Sequence, residues 1–136
     1  MRSISAAILI LAMSCDSNVA GPSRRAALGQ SFELRVGETA TIEEEGLTIG
    51  FTGVTNDSRC PIDVVCIQAG DATLRLTLRR VPQPATIVEV KTPGPPDSVY
   101  DGYSIEVRTL LPAPRAAIPT EPNSYIATLV VNRASS

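Results

Sequence analysis

Residues 72–79 read Ala-Thr-Leu-Arg-Leu-Thr-Leu-Arg, with apolar and polar side chains in strict alternation. Successive side chains of a strand point to opposite faces, so this pattern buries one face and wets the other. A helix would scatter the same apolar residues around its circumference. The period of two recurs along the chain. Phe32, Leu34 and Val36 form one inward row, and Leu47, Ile49 and Phe51 another. Tyr103, Ile105 and Val107 face in against Ser104, Glu106 and Arg108, and Tyr125, Ala127, Leu129 and Val131 form the last row. No window sustains a helical period beyond two turns.

Turn chemistry separates these rows. Gly37-Glu38 predicts a turn into a short return strand through Ala40 and Ile42. Val54 breaks the alternation of its strand, and a bulge near Gly53 accounts for the slip. Pro82 and Pro84 stop the cleanest strand. The β-branched run that follows, residues 85–91, suits a strand with both faces partly covered. Residues 92–97, TPGPPD, are a turn by composition, and Pro112, Pro114, Pro119 and Pro122 forbid regular pairing across residues 110–122. About seven strands in roughly 100 residues predict an all-β fold, a small antiparallel β-sandwich, with an open β-barrel as the alternative.

The 136 residues, 43% hydrophobic, suffice for one core. A net charge of −2 without a basic block argues against nucleic acid. Histidine is absent, which excludes Ser-His-Asp triads and His-based zinc sites. The single lysine, Lys91, lies beside a Pro-Gly-Pro-Pro turn and is a poor desolvated base. Asp57, Asp63, Asp71 and Glu43–Glu45 show no paired-acid pattern, and Glu43-Glu44-Glu45-Gly46 reads as a solvated turn, since calcium requires oxygens converging on one point. The expectation is a protein that is not an enzyme and takes no cofactor and no metal.

The N-terminus reads as an address. Arg2 precedes an apolar run from Ala6 to Met13, too short to span a bilayer permanently and shaped like a secretory signal. It ends in Leu11-Ala-Met-Ser-Cys15, similar to a bacterial lipobox, with Ala12 where leucine is usual. Cys15 is the expected lipidation site, with ordinary cleavage after Ala20 and secretion as the alternative. The expected organisation is a signal peptide over 1–14, a flexible tether over 15–30, a β-sandwich domain over 31–132 and a tail over 133–136. Arg24-Arg25 in the tether reads as a solvated linker charge pair, with contact to anionic headgroups as the alternative. Asp16 leaves the choice between inner and outer membrane open.

Once Cys15 is acylated, two cysteines remain, Cys60 and Cys66, inside NDSRCPIDVVCIQAGD at 56–71. The ligand count fails for zinc or iron–sulfur, and the five-residue spacing is not the C-x-x-C of a redox motif. An exported pair at this spacing predicts a structural disulfide closing one loop. Asn56, Asp57 and Ser58 favour Asx-type turns, Pro61 fixes φ after the first cysteine, and Arg59 has Asp57 or Asp63 as partner. Ala69 and Gly70 suit a tight approach before the next strand.

The segment Asp57-Ser-Arg-Cys-Pro, followed by Cys66 and Ala69-Gly70-Asp-Ala72, resembles a D-S-R-C-P-x₄-C-x-x-A-G-x-A motif of bacterial exported proteins and lipoproteins. Gly46-Leu47-Thr-Ile49-Gly-Phe51-Thr-Gly-Val54 and Tyr125-Ile-Ala-Thr-Leu129-Val-Val131 match their flanking strands, while Gln68 stands where members often carry tryptophan. The resemblance implies export and a β-domain, and carries no activity. The expected role is a lipid-anchored binding or accessory module of the cell envelope, its partners the membrane through Cys15 and an envelope protein. The alternative is a secreted protease inhibitor presenting Arg59-Cys60-Pro61 on a braced loop.

Overall fold

The structure, a computed structural model, describes residues 23–94 and 98–134. Its strands are β1 (Ser23–Ala26), β2 (Phe32–Arg35), β3 (Thr39–Ile42), β4 (Leu47–Asp57), β5 (Ala72–Arg80), β6 (Thr86–Thr92), β7 (Ser98–Tyr100), β8 (Tyr103–Leu111) and β9 (Ile126–Arg133). A five-stranded sheet ordered β1-β3-β4-β5-β6 lies against a four-stranded sheet ordered β2-β9-β8-β7. Among the described residues the two sheets share no ladder, so the fold is a sandwich and not an open barrel.

The alternating rows become the two inner faces. Ile49, Phe51, Leu74, Leu76 and Leu78 from the first sheet meet Leu34, Ile105, Leu129 and Val131 from the second, all fully buried. Each such side chain contributes about 1.5–3 kcal/mol by leaving water. On the outer face Arg75 and Glu89 stand directly opposite in the β5–β6 ladder and pair at 3.5 Å. The β4–β5 register slips between Phe51 and Gly53, where the bulge was expected, and again between Val54 and Asn56.

Several expectations are corrected. Among the described residues nine strands form where about seven were expected, and the two unforeseen ones, β1 and β7, are short edges. The 15–30 tether ends early, because Ser23–Ala26 pairs in parallel with β3 and buries Ala26. Arg24 Nε donates to Glu38 Oε2 at 3.1 Å, which gives this cation a partner within the domain. The domain therefore takes in residues from 23 onward, ahead of the expected start at 31. It also runs past 132, since β9 includes Arg133 and the Ala134 N–H donates to the Gly102 carbonyl. The Gly37-Glu38 turn is a corner between sheets, not a hairpin, because β2 pairs with β9 while β3 pairs with β4. Finally, β6 is an edge strand with Ile87 exposed and Val90 and Thr92 buried, so its β-branched run does not mark a doubly covered strand. The signal segment and Cys15 lie outside the described residues.

Register sorts the connections into two ends. Asp57 opposes Ala72, Ala72 opposes Thr92, and Leu111 and Arg35 both oppose Ile126. The 58–71 connection, the 37–38 corner and the proline-rich crossing thus share one end. The turns at 43–46, 81–85 and 101–102 share the other.

Candidate functional site

The 58–71 connection follows the longest strand and is tied at its neck. The Ser58 N–H donates to the Asp71 carbonyl at 2.7 Å, and the Ser58 hydroxyl donates to the same oxygen at 2.9 Å. Beside this neck a Cβ on Gly70 would lie 1.6 Å from the Ser58 carbonyl oxygen, a space that only glycine leaves free. Beyond the neck Cys60 and Cys66 are disulfide-bonded, with their Cα atoms 5.9 Å apart.

Arg59 is the centre of the brace. Its Nε and Nη2 donate to Asp57 Oδ1 and Oδ2, each at 2.8 Å, in a fork-to-carboxylate pair. Its Nη1 donates to the Leu110 carbonyl at 2.7 Å and Nη2 to that of Pro112 at 3.0 Å. The Tyr125 hydroxyl completes the network by donating to Asp57 Oδ2 at 3.0 Å. The Arg59 and Asp57 side chains are only 16% and 11% exposed. The hydrogen bonds from Arg59, helped by Tyr125, hold the Asp57 carboxyl below the usual carboxylate range against the opposing cost of burial. Burial first, then the carboxylate of Asp57, pushes the Tyr125 phenol up.

Because Asp57 belongs to one sheet, Leu110 to the other, and Tyr125 directly precedes β9 of that other sheet, this network clasps the sandwich shut. It also fuses the disulfide loop to the proline-rich crossing. The Ile62 N–H donates to the Pro114 carbonyl at 3.0 Å, and Asp63 Oδ1 accepts the Ala116 N–H at 3.0 Å. Of the two partners expected for Arg59, Asp57 takes it and Asp63 turns to the crossing. Pro61 is half-buried, and its carbonyl accepts the Val64 N–H at 3.4 Å, a turn inside the ring. Asp71 pairs with Lys91 at 3.7 Å, and Gln68 is exposed.

The far end carries a second clasp that spacing did not reveal. Glu45, expected in a solvated turn, accepts hydrogen bonds from the Tyr103 hydroxyl and from Arg133 Nη2 of the opposite sheet. Arg80 pairs with Asp101 at 2.9 Å and sits 5.6 Å from the centre of the Tyr103 ring. Tyr103 and Arg133 lower the carboxyl of Glu45. The one available signal was a tyrosine at the start of each C-terminal inward row, apolar in body and polar at its tip.

The two ends differ in surface. Among the described residues, eight large hydrophobic side chains are exposed, and six of them, Ile62, Val64, Val65, Ile67, Leu111 and Ile118, belong to the disulfide end. Val65 and Ile67 are wholly in solvent, at 101% and 103% relative exposure. In the proline-rich crossing a shallow groove of about 330 Å³ is lined by Pro112, Arg115, Ile118, Pro119, Glu121 and Ser124. Among the described residues no group of three His, Cys, Asp or Glu side chains is placed to hold a metal ion. Comparison with protein-family models, with curated proteins and with solved structures finds no match.

Proposed function

We propose that the chain is a lipid-anchored, non-catalytic binding or accessory module of the cell envelope, whose contact surface is the disulfide end of the sandwich. One observation carries this reading: a loop locked by a disulfide, a forked ion pair and backbone bonds to the crossing nevertheless holds aliphatic side chains out in water. Rigid scaffolds that present exposed apolar groups on connecting segments are built for recognition. The carboxylates available for acid–base chemistry near this loop have structural partners instead, Asp57 in Arg59 and Tyr125, Asp63 in the Ala116 N–H, and Asp71 in Lys91. The lipobox-like segment ending at Cys15 supplies the anchor, and the likeness of residues 57–72 to exported bacterial β-domains supports the compartment.

The inhibitor alternative asks Arg59 to enter a protease pocket, and the four hydrogen bonds of its guanidinium within the domain weigh against that. Titration against trypsin-like proteases should give no inhibition at micromolar concentration. The anchor is tested by growing the host with an alkyne fatty-acid analogue. The wild-type chain should take up the label and sediment with membranes, and Cys15→Ala should lose both properties. An unlabelled wild-type chain in the soluble fraction would contradict the proposal.

A further inference from the structure

The direction of β1 decides which end of the sandwich meets the anchor. Ser23 opposes Thr39, which opposes Gly50, and from Gly50 strand β4 climbs to Asp57 and the disulfide loop. Strand β1 therefore runs away from the disulfide end, and its first residue, Ser23, is the end of β1 nearer to that side. Seven residues, 16–22, separate Cys15 from Ser23, a reach of no more than about 25–30 Å. The rise from Gly50 to Asp57 takes up about 20–23 Å of the same direction. Even fully extended, these seven residues carry an anchor at Cys15 little farther than the level of the loop, so the loop cannot stand well clear of the surface that holds the anchor.

The surface met there suits lipid. Within the ring the only charge is Asp63, whose Oδ1 accepts a backbone N–H; Ile62, Val64 and Val65 of the ring and Ile67 just beyond it are the exposed aliphatics. Exposed Arg115 borders the patch, placed for anionic headgroups, and exposed Glu121 lines the same groove. The far end instead presents exposed Glu43 and Glu44, which an anionic surface repels, while Asp101 there is paired with Arg80. We infer that the disulfide end rests on the membrane that holds the anchor, with Val65 and Ile67 dipped into the lipid interface. This deepens the proposed function and rests on its anchor at Cys15.

The chain contains no tryptophan, so a single indole is a clean reporter. Val65→Trp and Ile67→Trp place it at the loop, and Gln83→Trp places it in an exposed turn at the far end. Each full chain is reconstituted in its acylated form into vesicles of phosphatidylethanolamine and phosphatidylglycerol that carry brominated acyl chains. Emission from positions 65 and 67 should shift to the blue and be quenched, while position 83 stays water-like. Adding Cys15→Ser to the Val65→Trp chain should leave weaker binding that still quenches at high lipid. In that unacylated chain, Ile67→Asp should lower vesicle partitioning about tenfold or more. Acylated chains bound to vesicles with water-like emission at both 65 and 67 would overturn the inference and assign the aliphatics to a protein partner. If mass analysis finds Cys15 unmodified, the anchor fails separately, and quenching in the unacylated chain then upholds the lipid contact while its absence overturns it.

Discussion

At the scale of single residues the Asp57–Arg59–Tyr125 network makes graded predictions. Arg59→Met leaves a largely covered carboxylate without its cation and frees two carbonyls of the crossing, so it should cost about 2–3 kcal/mol. Tyr125→Phe removes one hydrogen bond to the same carboxylate and should cost about 1 kcal/mol. Urea unfolding orders the two, and equal, negligible effects would remove the brace from the account. The pH dependence has a definite sign. Hydrogen bonds from Arg59 and Tyr125 lower the Asp57 carboxyl, and those from Tyr103 and Arg133 lower that of Glu45. A carboxyl lowered in the fold stabilises it above the unfolded pKa, about 4, and that contribution disappears as pH falls through the folded value. Stability should therefore be flat from neutral pH to about pH 5 and fall below about pH 4, less steeply in Asp57→Asn. Gly70→Ala, with no room beside the Ser58 carbonyl, should cost more than about 2 kcal/mol.

At the scale of elements the disulfide loop is held more than once. Replacing Cys60 and Cys66 together with serine should cost about 2 kcal/mol yet leave a cooperative fold, because the Ser58–Asp71 neck and the Arg59 fork remain. Strand β1 offers a second test. A chain starting at residue 23 should melt like a longer one, whereas one starting at residue 28 loses Ala26 and the Arg24–Glu38 pair and should melt several degrees lower. The central strands are legible in the sequence because alternation and burial coincide in them: the spacing of Leu74, Leu76 and Leu78 alone marks the face they bury. Strands β1 and β7 are not, since four and three residues hold too little period to register. The same limit explains β6, where β-branched residues occupy an edge and composition alone does not tell edge from centre. In the loop, the Asp57–Arg59 pair and the tight place of Gly70 are readable locally. The partners from the crossing, some fifty residues away, are not, because nothing in spacing encodes which carbonyls a sandwich brings to a guanidinium.

At the scale of the whole molecule the two open ends of the sandwich are closed by parallel means and put to different uses. Each has a tyrosine, a carboxylate and arginine spanning the two sheets, so the ends are fixed without enlarging the core. One end then keeps a charged, wet surface, and the other carries aliphatics on a disulfide-locked loop, on the side where β1 begins. The proposed anchor at Cys15, the seven residues between it and Ser23, and the apolar tip would together hold the domain at a membrane in one orientation. All of this turns on the fate of two sets of cysteine. Mass spectrometry of the mature protein from its host, before and after reduction, tests both at once. The account predicts a chain beginning at Cys15, carrying diacylglycerol and an N-acyl group, and gaining two hydrogens on reduction. A chain cleaved after Ala20, or one in which Cys60 and Cys66 are already free thiols, would contradict it.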